Sequence, residues 1–245
     1  MIDYMHDVTR SSSIEAIWDL HCKQMASYGF DRIIYAYTRF RTEDSVGLTD
    51  DALFLSNHNP TYIDQFIETQ KFIDAPMTEW ALSNVGARSW GEFSRQLESL
   101  TDKQRSVVEF NISHGVMAGY SIRFADSNPR AIGIMALTAE PGMTQDQVDE
   151  VWRDKGKAIE VMNYLVHLKI LALPHRTNRG ELTERQREVL SWIGDGKSNL
   201  DVATILGVSV ATVEKHLRLA RERLGVETTA QAVLKASFQN QIYTF

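Results

Sequence analysis

Amphipathic helices are predicted near the carboxyl end of the chain, between Leu182 and Val226. In the last of them Val213, Leu217, Ala220 and Leu224 recur at steps of four, three and four, which places them on one face of a helix. The positions between them are mostly polar or charged, so this helix packs by one face and exposes the other. The pattern predicts a small helical domain in the last third of the chain.

Start and stop signals separate these helices. Thr183 with Gln186, and Ser198 with Asp201, have the spacing of capping boxes, in which two side chains satisfy backbone groups of a helix's first turn. Gly207 has the position of a C-cap before the third helix. Two helices joined by a tight turn, the second with a packed back and a charged front, form a helix-turn-helix that fits the major groove of DNA.

Exposed polar residues of this region are the predicted DNA contacts. In the major groove Arg218 would donate two hydrogen bonds to guanine, and Glu214 would accept one from a cytosine amino group. Residues at helix starts would meet phosphates. The alternative is a solvated charged face on a helical bundle, which the caps and glycine breaks disfavour. The predicted DNA-binding residues are Lys197, Ser198, Thr212, Glu214, Lys215, Arg218 and Arg221.

The segment from Gly196 to Val226 resembles the DNA-binding domain of LuxR-type transcription factors. The turn Gly196-Lys197-Ser198, the pair Thr212-Val213 and His216 all stand where that family has them. The resemblance covers about the last third of the chain. It implies a four-helix domain whose last helix, beginning at Thr228, contacts a second copy of the chain.

The preceding part of the chain alternates strands and helices. Residues 33–40 (IIYAYTRF) are β-branched and aromatic on both alternating faces, and residues 118–124 and 131–139 alternate like paired strands. Helical periodicity predicts a helix from Pro60 through Phe72 and a long one after Thr144. About five strands with helices on both faces predict an α/β/α sandwich over an antiparallel sheet, like the PAS and GAF sensor folds.

The chain is therefore expected to be an α+β protein of two domains. The sandwich, predicted to bind a signal and to dimerise, takes residues 1–173, and a linker follows at 174–180. The all-α helix-turn-helix domain takes residues 181–245. A chain of 245 residues holds two domains of ordinary size.

The segment from Asn59 to Trp90 resembles the signal-binding region of quorum-sensing LuxR-type proteins. That family has an aromatic pair four residues apart on a helix, then an acid before proline, then a tryptophan about fifteen residues later. Tyr62 and Phe66 have the spacing of the pair, Asp74 is the acid, and Trp90 is the tryptophan. The resemblance implies a receptor for an N-acyl-homoserine lactone.

Such a signal presents one amide N–H and two carbonyl groups. Under the resemblance the Asp74 carboxylate would accept from the amide, the Trp90 indole would donate to the lactone carbonyl, and Tyr62 would offer its hydroxyl. The acyl chain would lie between the sheet and the helix of Phe66, gaining about 0.8 kcal/mol per buried methylene. The predicted ligand-binding residues are Tyr35, Tyr37, Tyr62, Phe66, Asp74, Trp90, Ala136 and Thr138.

The sequence departs from the family at several of these positions. Tyr62 replaces the usual Trp, Phe66 replaces the usual Tyr, and Ala75 separates Asp74 from Pro76. The alternative is therefore a LuxR-type regulator whose sensor domain binds a non-lactone metabolite or is controlled by a partner protein. Asp74 also suits the N-cap of a helix that begins at Pro76, and the aromatic residues also suit an ordinary core.

Composition and charge indicate a folded protein and favour one mode of DNA binding. With 43% hydrophobic residues the chain can build packed cores. The net charge is −6; from Arg176 onward ten basic and eight acidic residues give +2, which leaves −8 on the first 175 residues. So small a positive surplus favours a homodimer that binds two half-sites of an inverted repeat in double-stranded DNA, about one helical turn apart.

Enzymatic, metal and membrane functions have little support. The only cysteine, Cys22, excludes an internal disulfide, and no histidine pair shares ligand spacing with an acid. No Ser, His and acid arrangement or phosphate loop stands out, so a cytosolic enzyme with an appended regulatory domain is the weakest interpretation. The N-terminus is too polar for a signal peptide. We expect a cytoplasmic transcription regulator without a cofactor, with DNA, a signal, a second copy and RNA polymerase as partners.

Overall fold

The protein forms two compact units, Met1–Ile170 and Leu171–Phe245. Residues 175–180 of the predicted linker lie outside the described residues, so the predicted boundaries stay predictions. Within the described ranges no helix has both the length and the apolar character needed to cross a bilayer. The residues that the computed structural model describes are 1–42, 45–47, 51–94, 99–174 and 181–243.

The first unit is built from a sheet and helices. The strands are β1 (Arg32–Thr38), β2 (Leu53–Ser56), β3 (Gly86–Ser89), β4 (Gly119–Arg123) and β5 (Ile132–Thr138). The helices are α1 (Ile2–Arg10), α2 (Ile14–Ala26), α3 (Pro60–Glu68), a 3₁₀ helix (Lys71–Asp74), α4 (Pro76–Ser83), α5 (Gly91–Ser94), α6 (Asp102–Ser113) and α7 (Gln145–Leu171).

The sheet runs in the order β2-β1-β5-β4-β3 with every neighbouring pair antiparallel. Because successive side chains in a strand point to opposite faces, Tyr35 and its neighbours in register face α7, where the Tyr35 hydroxyl lies 2.9 Å from His167 Nδ1. The other face is covered by α3, α4 and α6. The expected α/β/α sandwich is confirmed.

Buried histidines join the layers of this unit. His21 Nδ1 lies 2.7 Å from the Tyr4 hydroxyl and its Nε2 lies 3.1 Å from Asn163 Oδ1, so α1, α2 and α7 are linked through one ring. Burial lowers the pKa of both His21 and His167 to about 4. These rings are therefore neutral near pH 7 and act as hydrogen-bonded core residues.

Several elements of the first unit differ from the sequence prediction. The helix predicted from Pro60 through Phe72 ends at Glu68, because Gln70 adopts a left-handed backbone with φ 56° and a separate 3₁₀ helix follows. Strand β3 and helix α1 were not predicted. The spacing of Ser12 and Glu15 predicts a cap at Ser12 for helix α2, but the capping residue is Ser13, whose side chain accepts from the Ala16 amide.

The second unit consists of four helices around one apolar core. They are α8 (Glu184–Gly194), α9 (Asn199–Leu206), α10 (Val210–Leu224) and α11 (Thr229–Phe238). Val213, Leu217, Ala220 and Leu224 of α10 are all buried in this core, as their spacing predicts. The predicted all-α domain is confirmed.

Candidate functional site

A cavity of about 280 Å³ lies between one face of the sheet and the helices α3, α4 and α6. Its floor is made by side chains of β1 and β5 that share this face. Four of these side chains are only half-buried, although both strands are interior to the sheet. They are Ile34, Ala36, Ile134 and Ala136. Their exposure is explained by the empty space that they border, and an unfilled space of this size is unusual in a packed interior.

A wall of stacked aromatic rings closes one side of the cavity. The Tyr62 and Phe66 rings of α3 lie 5.4 Å apart at 15°, and Phe110 of α6 lies 5.5 Å from Tyr62 at the same angle. The ring of His58 also stacks on Tyr62, with 4.9 Å between the centroids. Tyr62 and Phe66, predicted from the sequence as ligand-binding residues, both line the cavity.

The polar groups of the wall are paired with one another. Trp90 Nε1 donates to Ser121 Oγ at 3.0 Å, and the Tyr62 hydroxyl donates to Asn111 Oδ1 at 3.0 Å. Thr138 Oγ1 lies 3.3 Å from His58 Nε2. Trp90 and Thr138 were predicted for this site, and both border the cavity together with Ala136.

The electrostatic environment of the cavity is neutral. None of the described residues that line it is acidic, basic or a histidine. Burial, followed by the charge of Arg32, lowers the pKa of the adjacent His58 to about 4, so that ring is neutral near pH 7. Burial also raises the pKa of the Tyr62 phenol above its ordinary value, which keeps it protonated.

Asp74 does not line the cavity, which corrects the sequence prediction. A 3₁₀ helix has three residues per turn, so Phe72 and Ala75 lie on one face while Asp74 points away from it. The Asp74 side chain is 42% exposed and lies 4.0 Å from Lys103 Nζ. Nor does it cap α4, because the N-cap residue is Ala75 and no side-chain cap bond is formed. Ala75, directly before Pro76, is the residue that lines the cavity.

Tyr35 is also misassigned by the sequence prediction, whereas Tyr37 borders the cavity as predicted, although its ring points away from it. Both rings lie on the opposite face of the sheet, where the centroid of His167 is 5.9 Å from that of Tyr35 and 5.7 Å from that of Tyr37. Tyr37 borders the cavity, but its hydroxyl accepts from Arg39 Nε at 2.8 Å. The alternate positions Ile34 and Ala36 face the cavity instead.

Sequence reasoning missed the polar residues Ser121 and Asn111. Ser121 is a polar residue within an apolar strand, buried to 1% exposure, and that contrast was the available signal. Asn111 lies on α6, whose place beside the cavity depends on the tertiary fold. Both are hydrogen-bonded to residues that the sequence did identify, Trp90 and Tyr62.

The second candidate site is the helix-turn-helix of the second unit. Both predicted capping boxes are present, at Thr183 with Gln186 and at Ser198 with Asp201. Gly207 ends α9 with φ 65°, a left-handed conformation that glycine adopts without strain, and the chain then enters α10. Because one face of α10 is buried in the core, the rest of its surface faces solvent.

Most of the predicted DNA contacts are on that exposed surface. Glu214, Lys215 and Arg218 are exposed on α10, and Lys197 is exposed in the turn before α9. Arg218 Nη1 lies 2.6 Å from Glu222 Oε1, with both side chains more than half exposed. A surface pair of this kind contributes little to stability, so the guanidinium can exchange it for a base.

The other predicted contacts are more constrained. Arg221 is half-buried, and its guanidinium donates to Thr229 Oγ1 of α11 at 3.0 Å, so its side chain supports the packing of α10 on α11. It lies one turn after the buried Leu217, which explains why it leaves the exposed face. The hydroxyl of Ser198 is engaged with Asp201, and Thr212 Oγ1 lies 2.9 Å from Ser209 Oγ.

Comparisons with known proteins agree with both units. The family described as "Autoinducer binding domain" matches residues 13–170, and "Bacterial regulatory proteins, luxR family" matches residues 180–236. The transcriptional activator protein LuxR of Aliivibrio fischeri is 22% identical over 219 residues, covering 89% of this chain and 81% of that protein. The transcriptional activator protein CarR of Pectobacterium carotovorum subsp. carotovorum is 21% identical over 198 residues, covering 77% and 79%.

Solved structures share the fold. SdiA in complex with octanoyl-rac-glycerol aligns with a TM-score of 0.55 at 15% identity, over 98% of this chain and 95% of that one. The expected regulator, as opposed to an enzyme, is confirmed by relatives that are transcriptional activators. This chain belongs to the LuxR family of bacterial regulatory proteins that join an autoinducer binding domain to a helix-turn-helix.

Proposed function

We propose that this regulator controls transcription in the cytoplasm in response to a small neutral amphiphile with an acyl chain, which fills the cavity of the first unit. The cavity of about 280 Å³ in an otherwise packed unit is the observation that supports the proposal. Its apolar floor suits an acyl chain, and the hydroxyl of Ser121, which accepts from Trp90, can donate to a carbonyl head group. An N-acyl-homoserine lactone belongs to this class, and SdiA is the related fold whose structure contains octanoyl-rac-glycerol.

The DNA target is an inverted repeat bound by a homodimer. A single exposed α10 surface with Lys215 and Arg218 makes few phosphate and base contacts, so two copies are needed for ordinary specific affinity. Two-fold symmetry then places the half-sites about one helical turn apart. Contact with RNA polymerase is part of the proposal, because the named relatives are activators.

Ligand acts on this protein by linkage. A molecule that binds the folded first unit and not the unfolded chain stabilises the fold by RT ln(1 + [L]/Kd), about 2.7 kcal/mol at a hundredfold excess over Kd. For a chain of this size that corresponds to a rise in Tm of about 5–10 °C. The concentration of folded regulator therefore follows the concentration of signal.

The test uses the full chain with octanoylglycerol and N-octanoyl-homoserine lactone as probes. Tm is measured by calorimetry with each probe, and DNA sites are selected from a random duplex library with and without it. We expect a rise in Tm with at least one probe and selected sites with two-fold symmetry. If neither probe changes Tm or DNA affinity, the cavity is not the signal site.

A further inference from the structure

Among the described residues, the wall of the cavity offers hydrogen-bond donors but no charged acceptor. Ser121 Oγ already accepts from Trp90 Nε1, and in the described contacts the hydrogen of its own hydroxyl has no acceptor. Asn111 Oδ1 already accepts from Tyr62, which leaves its amide hydrogens as the available polar group. A carbonyl or ester oxygen of a ligand matches these donors.

The lining position directly before Pro76 holds alanine and not an acid. Ala75 is 8% exposed and lines the cavity directly before Pro76. The neighbouring carboxylate of Asp74 is on the outer surface, 4.0 Å from Lys103 Nζ. A molecule inside the cavity therefore has no access to a carboxylate among the described lining residues.

An amide N–H is penalised in such an environment. In water it donates a hydrogen bond, and that bond is lost on burial unless an acceptor replaces it. The described lining offers an amide N–H only neutral oxygens, and those of Asn111 and Ser121 already accept one hydrogen bond each, so the N–H gains less there than from a carboxylate. An ester, in which oxygen replaces the N–H, has no hydrogen to satisfy and retains the carbonyl acceptor.

We propose that the signal of this chain is a neutral acyl ester and not an N-acyl amide. The inference rests on the proposed function, that the cavity is the signal site, and deepens it by naming the chemical class of the ligand. The acyl chain lies along Ala36, Ile134 and Ala136, and the ester carbonyl accepts from the Ser121 hydroxyl. Selectivity against amides comes from the absence of a carboxylate at Ala75.

The test compares two ligands that differ in one atom group. N-octanoyl-homoserine lactone and its ester isostere, 2-octanoyloxy-γ-butyrolactone, are titrated into the full chain by calorimetry. The wild type is expected to bind the ester about tenfold or more tightly than the amide. In Ala75→Asp, which adds a carboxylate to the wall, the ratio is expected to reverse in favour of the amide.

Asp74→Asn is the matched control, because its side chain lies outside the cavity, and it should keep the wild-type ratio. The inference is overturned if the wild type binds the amide as tightly as the ester, or if Asp74→Asn removes amide binding. If Ala75→Asp fails to fold, the comparison of ester and amide affinity in the wild type is sufficient to test the inference. Binding of neither ligand, with no change in Tm, would instead refute the signal site itself and the inference with it.

Discussion

Ala136→Leu is expected to stabilise the ligand-free protein, because the added side chain would enter empty space. Ala136 pairs with Ile34 and Ser121 at the centre of the sheet, and its side chain borders the cavity of about 280 Å³. At about 24 cal/mol per Å³, the cost of an apolar space of that size has an upper bound of about 7 kcal/mol, reached only if the space is closed and dry. That figure is comparable with the whole stability of a domain, about 5–15 kcal/mol.

The expected gain follows from the atoms added. Leucine brings three more carbons, and each is worth about 0.8 kcal/mol when buried, so the free energy of unfolding should rise by about 2 kcal/mol. Tm should rise by about 5 °C. The same side chain occupies space that the ligand needs, so the increase in Tm on adding octanoylglycerol should largely disappear.

The assay is calorimetry of the full chain, on protein whose native mass spectrum shows no bound molecule. Ala26→Leu, at the exposed end of α2, adds the same atoms outside the cavity and should melt with the wild type. The sign of the effect is decisive, because a larger side chain forced into a filled core costs about 1–3 kcal/mol. A lower Tm for Ala136→Leu, with Ala26→Leu unchanged, would refute the cavity as a ligand site.

Other perturbations test a buried histidine, a closely packed glycine and the DNA-binding surface. Because burial lowers the pKa of His167 to about 4 from about 6.5 in the unfolded chain, its contribution to stability is complete above pH 6.5 and lost towards pH 4. Between about pH 4 and pH 6.5, unfolding of His167→Gln should take up one proton fewer than unfolding of the wild type. An unchanged slope of stability against pH would show that His167 is not the buried neutral group. Gly119→Ala should destabilise the fold by on the order of 3 kcal/mol, because a Cβ there would collide with the Leu137 carbonyl oxygen; a wild-type denaturant midpoint would oppose this. In binding assays Arg218→Ala should lose about 1–3 kcal/mol of discrimination at one base pair, and Lys197→Ala should weaken all sequences equally and reduce the salt slope by about one. Unchanged affinity and selectivity in both variants would exclude α10 as the groove-binding element.

The second unit was predictable because its signals are local. Each capping box joins residues three apart, such as Thr183 and Gln186, and the apolar face of α10 follows one period along one helix. Interactions between residues so close along the chain can be recognised from the sequence alone. Arg221 was the exception, because its placement depends on a hydrogen bond to Thr229 of the next helix.

The first unit was predictable as an architecture and less so as a site. Strand β1 is apolar on both faces, so alternation could not tell whether Tyr35 or Ala36 faces the ligand. That choice is set by His167, which is 132 residues away and bonds the Tyr35 hydroxyl. The position of Asp74 depends on the left-handed backbone at Gln70 and the 3₁₀ turn after it, neither of which has a strong sequence signature.

The pairing of the polar groups around the cavity determines which part of a ligand contributes most to affinity. A head-group carbonyl that accepts from Ser121 or Asn111 exchanges a hydrogen bond to water for one to the protein, and such an exchange yields only about 0.5–1.5 kcal/mol. Burial of the acyl chain has no such opposing term, because the floor is aliphatic. Affinity should therefore follow the volume of the acyl chain, while the head group determines which ligands are disfavoured, through the absence of a carboxylate at Ala75.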